Sequence, residues 1–232
     1  MKTKLITSAL FLFVINTFAQ TFADSLKTIL KKNDVAGAKI FMEKSKHKNV
    51  RALLNRQILN EYFEMSFESR ETPGYLICII SNGDKIIYSK LVSARKKIFE
   101  NEDSAAVKQF YKAYSAFFGT KVKTGNFFAD TVRYGKGCGF VGADPPERKK
   151  MKILIAEKNH KELSKWLQSA VTEKQLYAIE GFKELEKGGY VLSSLQKKLI
   201  DFIKTKKGNY QDCNGCIYSS TAISDLFKKG TD

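Results

Sequence analysis

The chain has 232 residues and carries 40 Lys and Arg against 24 Asp and Glu, a formal net charge of +16. With 43% hydrophobic and 28% charged residues, only 3 prolines and no low-complexity tract, it has the composition of a folded globular protein. That excludes an intrinsically disordered or collagen-like chain, and no disulfide is needed to build a core at this length.

Two lysines within Met1–Lys4 precede a nearly unbroken apolar run, Leu5–Ile15, and Asn16–Gln20 end in small or polar residues around Ala19. This order predicts a signal peptide over residues 1–20 and an exported protein, periplasmic or extracellular. The run is too short to serve as a comfortable membrane span, and no second candidate span follows. Ala19, Gln20 and Thr21 occupy the cleavage region, so no cysteine stands there for lipid attachment. Removal of Lys2 and Lys4 lowers the charge from +16 to +14, still strongly basic.

The basic residues are overwhelmingly lysine, with Arg51, Arg56, Arg70, Arg95, Arg133 and Arg148 the only arginines. Guanidinium forks are what specific phosphate and base contacts favour, and clusters such as Lys149-Lys150 and Lys197-Lys198 read as solvated helix faces. No specific nucleic-acid partner is implied. The charge suits another protein or an anionic envelope component.

Residues 22–70 read as three short helices, from Leu26, Ile29 and Leu30 through Val35, Ala38 and Phe41-Met42 to Leu53-Leu54, Ile58-Leu59 and Tyr62-Phe63. Pro73-Gly74 then ends the helical period. Two β-branched runs flanking Ser81-Asn82-Gly83-Asp84 predict a β-hairpin over 75–92 with a type I′ Asn-Gly turn. Its apolar face requires a cover, and Lys152–Ala156 is a candidate third strand. Val107, Phe110, Tyr111, Tyr114 and Phe117-Phe118 lie on one helical face stopped by Gly119, and their spacing favours core packing over a ligand box. Residues 135–150 read as a Gly/Pro-rich connector.

Beyond it, three helical patterns follow. Glu162–Ser169 directs Leu163, Trp166 and Leu167 inward. Thr172-Glu-Lys-Gln175 matches a capping box, opening a helix that stops at Gly188-Gly189, and Ser193-Ser-Leu-Gln196 opens another. Trp166, Leu167, Leu176, Ala178, Ile179, Phe182 and Leu185 should share one buried cluster.

The stretch Leu163-Ser-Lys-Trp166-Leu167-Gln-Ser169 followed by Thr172-Glu-Lys-Gln175-Leu176-Tyr-Ala178-Ile179-Glu-Gly181-Phe182-Lys-Glu-Leu185 resembles a HEAT-type α-helical repeat, within residues 158–206. Gln175 stands where that repeat often has Arg. The resemblance implies helix pairs that stack into a protein-binding surface. The expected architecture is therefore α+β and mainly helical. Residues 21–134 form an α+β lobe of N-terminal helices packed with the hairpin, and residues 151–232 a HEAT-like helical C-terminal lobe.

Chemistry-bearing motifs are few. His47 and His160 are the only histidines, far apart and outside any metalloprotease motif, and both read as surface residues. Gly137-Cys138-Gly139-Phe140-Val141-Gly142 matches a dinucleotide fingerprint as a string, but Ala143-Asp144-Pro145-Pro146 argues against the helix such a site opens. No cofactor is implied. Cys78 sits in an apolar strand and reads as buried and inert. Cys138 lies between Gly137 and Gly139, and Cys213-Asn-Gly-Cys216 is a Cys-x-x-Cys pair placed in the loop before the last helix. For these three cysteines a structural disulfide, a catalytic dithiol and a zinc knuckle all remain open, the disulfide fitting the exported address best. The functional expectation is a non-enzymatic, exported protein-binding or envelope-associated module. The alternative is thiol-disulfide or zinc chemistry at Cys138, Cys213 and Cys216.

Overall fold

A computed structural model describes residues 22–45, 49–70, 74–128 and 132–228. The leader and His47 lie outside the described residues. The chain divides into two compact units, one of Met1–Ala52 with Ser66–Asp103, the other of Leu53–Met65 with Ser104–Asp232.

In the first unit, helix α1 (22–31) and helix α2 (Val35–Lys44) precede the strands. Asp34 starts α2 by accepting from the amides of Ala36 and Gly37, both at 3.0 Å. The third predicted helix does not exist. Residues 50–69, of which Leu53–Met65 belong to the second unit, instead form a β-hairpin, β1 (Val50–Leu59) and β2 (Tyr62–Ser69), turning at Asn60 with φ +48°. The doublets Leu53-Leu54 and Ile58-Leu59 mimic a helical stripe. The alternation of buried Leu54, Arg56 and Ile58 with less buried Leu53, Asn55 and Gln57 is that of a strand with a charged residue on its inner face.

Strands β3 (Tyr75–Asn82), β4 (Lys85–Ser93) and β5 (Lys96–Glu102) continue a five-stranded antiparallel sheet in chain order. The predicted hairpin is β3–β4, with its turn one residue later than read. Asn82 pairs with Lys85, and Gly83 at φ +56° takes the first central position, the signature of a Gly-led turn rather than Asn-Gly type I′. Leu26, Leu30, Ala38, Ile77, Ile79, Ile86 and Leu91 are buried in this unit's core, and Cys78 is buried among them, outside any disulfide.

The second unit opens with α3 (Ser104–Phe118), whose Val107, Phe110, Tyr114 and Phe118 are buried, so the aromatic stripe is core. Phe110 meets Tyr62 and Phe127 with ring centroids 4.9 and 5.4 Å apart. The span expected as a connector contains β6 (Tyr134–Cys138) and the first turns of α4 (Pro146–Ala156). Lys152–Ala156 is therefore helix, not a third strand. Pro146 occupies the first helical turn, where its missing N–H costs nothing, so the proline pair starts the helix it was expected to block.

Helices α5 (His160–Leu167), α6 (Thr172–Lys187) and α7 (Ser194–Thr205) follow, with the predicted box at Ser193 and Gln196. All seven residues of the expected cluster from Trp166 to Leu185 are buried. The C-terminal segment departs from a helical lobe. Residues 209–222 form a further β-hairpin, β7 (Asn209–Gly215) and β8 (Ile217–Ala222), before a short α8 (Ile223–Lys228). β6 pairs parallel to β7, and β8 antiparallel to it. Of the described residues 46% are helical and 32% lie in strands, so the mainly helical expectation is corrected to a fold with two sheets.

Candidate functional site: a disulfide-clamped apolar tip

β6 and β7 approach closely because Gly135 faces Cys213 in the parallel register. A Cβ there would collide with the Cys213 carbonyl and lie 3.0 Å from its Sγ. Tyr177, buried on α6, anchors the start of β6. Its hydroxyl donates to the Arg133 carbonyl at 2.9 Å and accepts from the Gly135 amide at 3.0 Å. Tyr134 donates to Glu180, which Arg148 grips through two nitrogens at 2.7 and 3.0 Å. Burial raises the Tyr134 phenol well above its ordinary range, and the Glu180 carboxylate adds to this, so it stays a hydrogen-bond donor.

At the far end of β6, Cys138 and Cys213 form a disulfide with Cα atoms 5.4 Å apart. Of the readings open for these cysteines, the bridge from Cys138 to one member of the pair is the one adopted, and the Cys-x-x-Cys pair itself is not joined. Such a bridge is compatible with an exported protein. Cys216 is an exposed thiol in the turn between β7 and β8, not in a loop before the last helix. Among the described residues no group of three or more His, Cys, Asp or Glu is placed to hold a metal ion.

The chain then closes a small loop on itself. Cys138 N donates to Ala143 O at 2.7 Å and Gly142 N to Gly139 O at 3.1 Å. Gly137, Gly139 and Gly142 all take positive φ, +63°, +76° and +61°, which explains glycine at the positions singled out in the sequence. Gly139 N donates to Gly215 O at 2.7 Å, so this loop lies against the β7–β8 turn. Asp144 accepts from Lys152 at 2.5 Å and faces Arg148 at 3.5 Å. The Lys152 hydrogen bond foremost holds its carboxyl below the usual range. The start of α4 is thus taken up by acidic Asp144 and Glu147, a poor setting for a dinucleotide phosphate.

What the two loops present is apolar. Phe140 is 96% exposed and Val141 86%, and across the Gly139–Gly215 hydrogen bond Ile217 is 68% and Tyr218 60% exposed. These four residues were not singled out in the sequence. The available signal was an apolar pair enclosed by glycines, which no helix or strand period accounts for.

A second cluster in this unit is polar and enclosed. Arg56 on β1 donates to Glu64 on β2 and, at 2.7 Å, to Glu173 on α6, all three almost wholly buried. Burial alone would lower the guanidinium's pKa, but Glu173 and Glu64 more than offset it and raise it. Glu64 also accepts from Phe128 N at 3.1 Å and Glu173 from Gln211 N at 2.8 Å. Lys206 donates to Thr172 Oγ1 and Gln175 Oε1 at 3.0 and 3.1 Å. Thr172 and Gln175 therefore do not form the expected capping box. Val171 is the N-cap, and the two side chains turn inward to the lysine. This cluster ties secondary structures together and offers no open face to a substrate.

Beside known proteins, the chain matches no family model, no curated protein and no solved structure. No helix among the described residues is long and apolar enough to cross a membrane.

Proposed function

We propose that this chain is an exported, non-enzymatic binding module whose contact element is the clamped tip formed by Phe140, Val141, Ile217 and Tyr218, and that its partner is another protein offering an apolar pocket. The observation that carries this reading is the near-complete exposure of Phe140 and Val141 on a loop pinned by a disulfide, a bulge and three backbone hydrogen bonds. Aromatic anchors on a preorganised loop lose little entropy on docking, and such anchors dominate interface energies. A protein partner is favoured over an anionic lipid surface because the loop from Gly137 to Ala143 carries no basic residue of its own. Lys136 and Asp144, its nearest charged neighbours along that loop, are opposite in sign.

The test is a photo-crosslinking residue placed at position 140 or 217 in the full chain, exposed to the proteins of its compartment. A discrete adduct from both positions, lost in Phe140→Ser with Val141→Ser, supports the reading. Sedimentation with phosphatidylglycerol vesicles and no protein adduct would replace it with a membrane role.

A further inference from the structure

Three cysteines meet at the tip, and their burial differs. Cys213 is 3% exposed inside β7, Cys138 is half-buried at the end of β6, and Cys216 is exposed. Cys138 sits in register with Gly215, the residue immediately before Cys216, and neighbouring strands run only about 5 Å apart. Gly215 at φ +56° and Cys216 make the two-residue turn joining β7 to β8. The reduced thiol is thus one residue along the chain from the register partner of the more accessible bridge sulfur.

We propose that Cys216 is an exchange thiol that moves the bridge from Cys138–Cys213 to Cys138–Cys216. The Cys216 thiolate attacks Cys138 Sγ, the Cys138–Cys213 bond breaks, and Cys213 leaves as a thiolate that takes up the proton Cys216 released to solvent. One disulfide is consumed and one formed, so no oxidant or reductant is required. Burial favours the product at Cys213 as a neutral thiol, since a buried cysteine behaves as a small hydrophobe, and it selects Cys138 as the sulfur attacked. The shift carries the clamp from the body of β7 onto its turn, next to Ile217, and gives the tip two covalent forms. This inference does not depend on what the tip binds.

The experiment uses the purified oxidised full chain, incubated at pH 8.5, quenched in acid, alkylated at low pH with a maleimide and mapped by peptide mass spectrometry. A Cys138–Cys216 linkage that grows with time while Cys213 becomes labelled is the expected result. Exchange runs through the thiolate, so the linkage should form faster at pH 8.5 than at pH 6.5. The linkage should be missing in Cys216→Ser, a turn variant that keeps the fold, and should persist in Cys78→Ser. A sole Cys138–Cys213 linkage with Cys216 labelled at every time overturns the proposal. So does a Cys213–Cys216 linkage, or one that forms only between molecules as concentration rises.

Discussion

Arg56 and Glu173, 117 positions apart in the chain, meet at 2.7 Å with almost no solvent reaching either side chain. A buried ion pair is poor evidence of net stabilisation, because desolvation offsets the attraction, but stripping one partner leaves an uncompensated charge in the interior. Arg56→Met should therefore cost about 3 to 5 kcal/mol in urea-unfolding free energy. Adding Glu64→Gln and Glu173→Gln to it should recover much of that loss, since the carbonyls still accept from Phe128 N and Gln211 N. A triple variant no more stable than the single would mean the carboxylates are not stranded by loss of the arginine.

Lys206 gives the molecule a pH dependence of unusual sign. Burial first, and Arg56 second, push its pKa down to about 7, against about 10.4 for a lysine in an unfolded chain. Between those values the unfolded chain binds the proton that the fold has released. The contribution of this group to stability is thus lowest below about pH 7 and rises as the pH climbs towards 10.4. Denaturant midpoints at pH 6.5 and 9.5 should show this rise in the native chain and lose it in Lys206→Met. An equal rise in both would place its origin elsewhere.

The Cys138–Cys213 bridge closes a loop with a sequence separation of 75, for which chain entropy gives a stabilisation of about 4 kcal/mol. Cys138→Ser with Cys213→Ser should lower stability by that order and leave far-ultraviolet circular dichroism native, because Tyr177 and Glu180 still hold the start of β6. Loss of secondary structure in the double variant would show that the bridge is needed to form the second sheet.

Gly135→Ala should be among the most damaging small substitutions in the chain, since the added methyl meets the backbone of Cys213, which cannot move aside as a flexible side chain would. Its expected signature is a new reactive thiol pair at Cys138 and Cys213 under conditions where the native chain shows neither. Gly125→Ala, where an added methyl meets nothing within 4 Å, is the control and should be neutral to bridge formation.

The sequence made the β3–β4 hairpin and helices α3, α5, α6 and α7 readable because each has one period and a local stop signal. β1–β2 reads as helix because Leu53-Leu54, Ile58-Leu59 and Tyr62-Phe63 satisfy both periods, and the arbiter, Arg56 on the buried face, looks like a surface residue until Glu64 and Glu173 are placed beside it. β7–β8 escaped because Asn209–Ala222 is polar, with Tyr210 and Cys213 its only buried side chains, and its pairing with β6 is set by distant chain. The site was half legible. Three cysteines and two glycines were found by chemistry, whereas the exposure of Phe140, Val141, Ile217 and Tyr218 is a property of the loops' arrangement and not of any residue pattern.

The parallel pairing of β6 with β7 also dictates an order of events during biogenesis. Everything from α4 to α7 lies between the two strands, so they cannot pair until four helices have been made, a non-local closure that slows assembly. In a chain delivered N-terminus first to an oxidising compartment, Cys78 and Cys138 both arrive before Cys213 exists as a partner. Cys78 is buried in the folded first unit, all of which precedes Cys138 in the chain, so folding of that unit withdraws the earlier thiol from competition. Variants that delay folding of that unit should accumulate a Cys78–Cys138 cross-link during oxidative refolding of the full chain, read by peptide mapping.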